Sequence, residues 1–241
     1  MKKIYLEFIV PISIKRTISV FCTIVLCFFG ISAEAQSFKK MAYDRNHSLA
    51  LGFGPSVFYG ENGGNYRSLQ FPVKPSITLA YSKRLSDHLQ LRLTGGQQGI
   101  KSWDRFKQNT IENWALSGVP YAFRGSAFFI DIMPQFMLFP SGYLGSRSQF
   151  NVYGGLGVGA VFVNREQRVY SANGDIATKV NTTSAYIPVR AGIIYGLSYL
   201  YNIGLEGTFM NTFSDELDGN SINAKRNDHL MQLNFTLTRY F

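Results

Sequence analysis

Residues 230–241 read Leu-Met-Gln-Leu-Asn-Phe-Thr-Leu-Thr-Arg-Tyr-Phe, and this stretch decides the fold class. From Met231 to Thr238 apolar and polar residues alternate. Met231, Leu233, Phe235, Leu237 and Phe241 share one face, while Gln232, Asn234, Thr236, Thr238 and Tyr240 share the other. A period of two predicts a strand with one apolar face. Chain ends usually fray. A pattern carried to a final aromatic therefore predicts a last strand that is paired along its length, as in a closed sheet where it meets the first strand.

Working backwards from this strand, the same alternation recurs over residues 48–59, 76–85, 89–94, 127–139, 150–163, 186–197 and 201–213. Eight stretches near ten residues long match the length of a tilted membrane strand. Pro134 interrupts the fourth and predicts a bulge or an unpaired amide there. The connections 84–88, 140–149 and 198–200 are short. The connections 60–74, 95–126, 164–185 and 214–228 are long. Short turns on one rim and long loops on the other are the pattern of an outer-membrane barrel, with the long loops outside. A secreted β-sandwich also has short strands, but it does not turn apolar residues outward on every strand. The terminal Phe241 is similar to the C-terminal assembly signal of bacterial outer-membrane barrels.

The other end of the chain agrees. Lys2, Lys3, Lys15 and Arg16 precede an uncharged, apolar run over residues 17–33, and Ala33-Glu34-Ala35 offers a small-x-small cleavage site. The expected organisation is a signal peptide over residues 1–35, a periplasmic segment over 36–47 and a barrel over 48–241. Both cysteines, Cys22 and Cys27, lie in the signal segment. The remaining chain offers no thiol for a disulfide, a metal or a nucleophile. The whole chain carries a formal charge of +9. Losing four cations and two acids with residues 1–35 leaves +7. Without a compact Lys/Arg run, this balance points to lipopolysaccharide phosphates rather than nucleic acid.

The polar faces carry Arg92, Asp131, Arg190 and Glu206. An eight-stranded barrel is just wide enough to be filled by side chains, and buried charges must be paired. The expected arrangement is a lumen network in which Asp131 and Glu206 take Arg92 and Arg190. Gly155, Gly157 and Gly159 are expected to make room for the arginines opposite. Aromatics near strand ends, among them Phe58, Tyr153, Tyr240 and Phe241, are read as interfacial girdles. Trp103 and Trp114 sit in the longest loop, either as a contact for a partner or lipopolysaccharide or folded over the barrel mouth. Ser214, Asp215 and His229 are the place to look for rim catalysis. Residue types alone make this a solvated loop, so no catalytic residue, cofactor or metal ligand is assigned.

Several motifs resemble one group of proteins. They are Ser82-Lys83-Arg84-Leu85-Ser86 with Leu89-Gln90-Leu91-Arg92-Leu93, Val152-Tyr153-Gly154-Gly155-Leu156-Gly157, Ile187-Pro188-Val189-Arg190-Ala191-Gly192, Asn202-Ile203-Gly204-Leu205-Glu206 and Thr212-Phe213-Ser214-Asp215-Glu216-Leu217-Asp218. The chain is similar over most of residues 48–241 to the small outer-membrane barrels common in Bacteroidetes, a family of unknown function. That family includes a barrel component of type IX secretion. The closing Arg239-Tyr240-Phe241 departs from its usual Tyr-Arg-Phe.

The reading as a whole is an all-β, eight-stranded antiparallel transmembrane barrel in the bacterial outer membrane, with both termini periplasmic. Its expected partners are outer-membrane lipid and lipopolysaccharide, the barrel assembly machinery, and periplasmic lipoproteins or subunits of an envelope complex.

Overall fold

The computed structural model describes residues 46–60, 63, 71–103, 108–139, 149–170, 176–198, 200–219 and 227–241. The signal peptide expected over residues 1–35 and most of the segment 36–47 lie outside the described residues. Nine strand segments follow in order: β1 His47–Tyr59, β2 Lys74–Arg84, β3 Leu89–Lys101, β4 Ala122–Met137, β5 Phe150–Leu156, β6 Val158–Val169, β7 Ile176–Gly196, β8 Tyr201–Thr212 and β9 His229–Tyr240. One helix, α1 Gln108–Leu116, lies between β3 and β4.

Every neighbouring pair is antiparallel, and β9 pairs with β1, so the sheet closes. β5 and β6 are two halves of one stave: both pair with β4 on one side and β7 on the other. The nine segments thus make eight staves. The break has a chemical cause. Leu156 and Gly157 lie beside Pro134 of β4 and Pro188 of β7, and neither proline can donate to a ladder. The Gly157 amide still donates to the Pro188 carbonyl, at 3.1 Å. β4 itself runs through Pro134 in unbroken register with β3, so the expected bulge is absent and the interruption falls on its partner instead.

The register fixes the shape. A walk around the ring from Ser56 passes Gln232, Thr208, Arg190, Gly155, Gln135, Gln90 and Arg84. The Arg84 amide then donates to the Asn46 carbonyl at 2.7 Å. The ring re-enters beside β1 ten residues from its start, the difference between positions 56 and 46. Eight staves with that stagger require a strand tilt of about 43° and leave an interior that side chains can fill.

The barrel is inside-out relative to a water-soluble protein. Outward positions carry Leu79, Leu93, Ile130, Val189 and Phe235, all exposed, in a continuous belt. Inward positions carry Ser76, Thr94, Gln98, Asn234 and Thr236, all buried. An apolar belt of this extent is stable only against lipid. No helix among the described residues is long and apolar enough to cross a membrane. The strands make the crossing, and the closed ring leaves no unpaired edge within it. The fold is an eight-stranded antiparallel transmembrane β-barrel.

Several elements differ from the sequence reading. β3 and β4 run on to Lys101 and begin at Ala122, and the β6–β7 hairpin stays paired out to Val169 and Ile176. Beyond the lipid the outward positions of β3 and β4 turn polar at Gln97, Lys101, Arg124 and Ser126 while Ile100 and Phe123 stay buried inside, and over residues 176–183 neither face is buried, so the apolar-outward alternation that marks a membrane strand disappears. α1 occupies the longest of the expected connections. It ends in a Schellman turn: the Val119 amide reaches the Trp114 carbonyl at 3.0 Å, and Gly118 takes φ +69°.

Candidate functional site: the filled lumen and the two rims

Two ion pairs hold the middle of the lumen. Arg92 donates to both Glu206 oxygens, at 2.5 and 3.1 Å. Arg190 donates to both Asp131 oxygens, at 3.1 and 3.0 Å. The Arg190 Nε lies 3.5 Å from Glu206 Oε1 and joins the two pairs into one chain. No side chain in these pairs is more than 5 % exposed. Two cations and two anions make the network neutral, which is the condition for burying it. Forked guanidinium–carboxylate contacts supply both strength and orientation.

Hydroxyls complete the chain. The Tyr153 hydroxyl donates to Glu206, and the Tyr186 hydroxyl donates to Asp131 at 2.7 Å. Arg190 also donates to Thr94 Oγ1 at 2.9 Å and to Thr208 Oγ1 at 3.1 Å. The structure therefore brings Arg92, Asp131, Arg190 and Glu206 together, and it adds two tyrosines that the sequence reading does not assign to the network. Tyr153 belongs here and not to the interfacial girdle. Its inward strand parity, opposite the outward Val152, is the signal that places it inside.

Gly155 on β5 and Gly159 on β6 are held by close neighbours. A β-carbon on Gly155 would meet Met133 Sδ at 2.9 Å, and one on Gly159 would meet the Tyr186 ring at 2.6 Å and Asp131 Cβ at 2.7 Å. The nearest atoms are the Pro134 carbonyl oxygen and Met133 at Gly155, and the Ile130 carbonyl oxygen, Tyr186 and Asp131 at Gly159, while Arg190 is the register partner of Gly155.

Toward the loop rim the lumen turns apolar. Phe58, Ile100, Phe123, Phe129, Met210 and Leu230 are buried there in one cluster. Phe58 meets Phe123 edge to face, with ring centroids 5.4 Å apart at 80°. Phe58, read as a girdle residue, is thus a lumen residue, and so is Tyr240, whose hydroxyl accepts from Asn202 at 3.1 Å. Their strands reach the rim with inward parity, which position near a strand end does not reveal.

The segment after β8 folds into this mouth. Leu217 is fully buried in the apolar cluster. Its amide donates to Asp228 at 2.8 Å, and its carbonyl accepts from Arg165 at 3.1 Å. Asp218 and Asp228 are fully buried beside it.

The grouping of Ser214, Asp215 and His229 does not assemble as a triad in the described residues. Asp228 turns inward and His229 outward, as successive strand residues must. The His229 ring lies between Tyr59 and Phe209, at 5.6 and 5.2 Å. Ser214 Oγ accepts from the Glu216 amide at 3.1 Å. Burial, and then the neighbouring Glu216, holds the Asp215 carboxyl above the usual carboxylate range. No group of three His, Cys, Asp or Glu residues suited to a metal occurs among the described residues.

The opposite rim carries the tight turns. The Leu85 and Ser86 amides donate to the Leu89 carbonyl at 2.9 and 3.0 Å, and the Leu197 and Ser198 amides to the Tyr201 carbonyl at 3.0 and 3.1 Å. Phe241 closes the ring here. Its amide donates to the His47 carbonyl at 3.0 Å, its carbonyl accepts from the His47 amide at 3.4 Å, and its ring stacks on His47 at 6.2 Å. Arg239 stands on the outward face, in register with Leu49 and Tyr201. A small polar cavity opens on this side of the network, about 20 Å³ in volume and bounded by Arg92, Gln90, Gln135, Tyr153 and Tyr240. That volume holds about one water molecule.

At the loop rim, Trp103 and Trp114 are both half-buried, and Trp114 lies on α1. Leu116 at the end of α1 is 88 % exposed.

The chain matches no family model and no curated protein sequence. Several solved outer-membrane proteins are similar to it. Ail of Yersinia pestis is 11% identical, with 81% of this chain and 97% of that chain covered and a TM-score of 0.44. Neisserial surface protein A is 11% identical over the same shares, with a TM-score of 0.47. A major outer membrane protein from Thermus thermophilus is 10% identical, with 81% and 99% covered and a TM-score of 0.49. The fold and the membrane reading rest on the closed ring and its apolar belt.

Proposed function

We propose that this chain is a non-enzymatic outer-membrane barrel that acts through its two rims, as a structural or partner-binding protein of the cell envelope. One observation carries the reading: the lumen is filled at two levels, by the Arg92–Glu206–Arg190–Asp131 chain and by the apolar cluster around Phe58 and Phe129. A filled lumen leaves the rims and the outer wall as the surfaces available for recognition. In this reading both termini face the periplasm and the long loops face outward, because short turns and chain ends share one rim in barrels of this type. The loop rim, with α1 and the exposed Leu116, is the favoured contact surface.

The test is site-directed photocrosslinking in intact outer membrane, with the reactive group at Leu116 on the loop rim or at Asp87 on the turn rim. A discrete adduct with one envelope protein, from either rim, is the expected result. Such an adduct with a periplasmic lipoprotein or a secretion subunit would identify the complex. Only diffuse adducts from both rims would overturn the partner-binding role.

A further inference from the structure

A row of charged side chains crosses the outside of the barrel beyond its loop-side aromatics. The register aligns Lys101 with Arg124, Arg124 with Glu166 and Glu166 with Lys179. All four occupy outward positions: two residues along each strand toward the lipid stand Gly99, Ser126, Asn164 and Asn181, and two further stand Gln97, Phe128, Phe162 and Thr183. Arg168 stands two residues beyond Glu166 on the same face and is exposed. The stem of Lys74 lies across Gly99, where a β-carbon would meet its Cβ, Cγ and Cδ at 3.0, 3.4 and 3.6 Å. Five cations and one carboxylate therefore share one patch of the outer wall.

Three features identify what this patch binds. Lys101 and Arg124 face each other directly in register, so two cations stand side by side on neighbouring strands. The patch is also one-sided: the outward row at the corresponding rim of the opposite wall is Tyr59, His229 and Asn211. Its height is the third feature. Phe128 and Phe162 face each other in register and are both 48 % exposed, which marks the girdle at the lipid boundary. Arg124 lies four residues beyond Phe128, about 13 Å along the strand and about 10 Å along the membrane normal at this tilt. That is just above a headgroup layer of about 5–7.5 Å, so long side chains reaching back toward the membrane meet lipid phosphates, and an arginine fork flanked by lysines suits a phosphate.

We propose that Lys74, Lys101, Arg124, Arg168 and Lys179 form a binding site for the phosphate of an outer-leaflet glycolipid, the lipopolysaccharide anchor. The inference rests on the orientation given above, with the loops outward. The full chain is folded into phosphatidylcholine vesicles carrying either the diphosphorylated glycolipid anchor or its dephosphorylated form. The glycolipid retained after mild extraction is then counted by native mass spectrometry. Wild type should retain the phosphorylated form at least about tenfold over the other. Arg124→Gln with Lys179→Gln should abolish the preference, Arg124→Lys should keep most of it, and millimolar inorganic phosphate should leave it unchanged. Equal retention of both forms by wild type would overturn the site, as would a preference that survives the double substitution. Displacement by inorganic phosphate would overturn the lipid assignment. Failure of wild type to enter vesicles at all would overturn the membrane reading itself, a result separable from loss of preference in an inserted barrel.

Discussion

Arg190 holds Asp131 through two contacts, at 3.1 and 3.0 Å, with both side chains at 0 % exposure. Asp131 on β4 and Arg190 on β7 stand two staves apart with only β5 and β6 between them, so the pair clamps β7 to β4 over that intervening stave. Removing one partner leaves an uncompensated buried charge. Asp131→Asn should cost about 3–5 kcal/mol, read as a lower urea midpoint for loss of the heat-modifiable band. Arg190→Met combined with Asp131→Leu should recover much of that loss, because apolar replacement of a buried pair is often neutral. If Asp131→Asn unfolds at the wild-type midpoint, the network does not contribute as described.

The β6 glycine opposite this pair makes a sharper test. A β-carbon on Gly159 would stand 2.6 Å from the Ile130 carbonyl oxygen and from the Tyr186 ring. Gly159→Ala should destabilise the barrel by about 1–3 kcal/mol. Gly154→Ala, where the nearest atom is the Arg190 carbonyl oxygen at 3.6 Å, should be close to neutral. Urea titration of both variants in the same detergent compares them, and equal midpoints would sink the packing account.

Phe241 closes the ring through two backbone contacts and a stack on His47. Deleting it should cost about 1–3 kcal/mol and slow assembly. Gel mobility of heated and unheated samples measures this. A deletion that assembles at the normal rate would contradict the role given to this residue.

The mouth plug hangs on Asp228. Asp228→Ala removes the acceptor of the Leu217 amide, at a cost of about 1–3 kcal/mol. Limited proteolysis should then cut within residues 213–219 while the barrel stays intact. Unchanged resistance would show that Leu217 is held by packing alone.

How much of this was legible follows from where each residue meets lipid. Along residues 230–241 one face meets lipid and the other meets the lumen, so the pattern, the strand and its pairing could all be read. Over residues 176–183 neither face is buried, and the strand left no such mark. α1 escaped notice because a nine-residue helix with Asn109, Thr110 and Asn113 has neither strong propensity nor a long apolar stripe. The four lumen charges were legible because charge on a lipid-facing strand has only one acceptable direction. Tyr153, Tyr186 and Phe58 were not assigned to the lumen filling, since aromatics suit the girdle and the lumen alike. The outer cation row needed the register, because Lys101, Arg124 and Lys179 lie far apart in sequence.

The central claim is that the lumen is filled and the rims do the work. Single-channel recording of the refolded full chain in planar bilayers tests it most directly. The predicted result is insertion, verified by heat-modifiable migration of the same sample, with no discrete conductance steps. Regular steps of one size, persisting when Leu217 and Phe129 are intact, would contradict it.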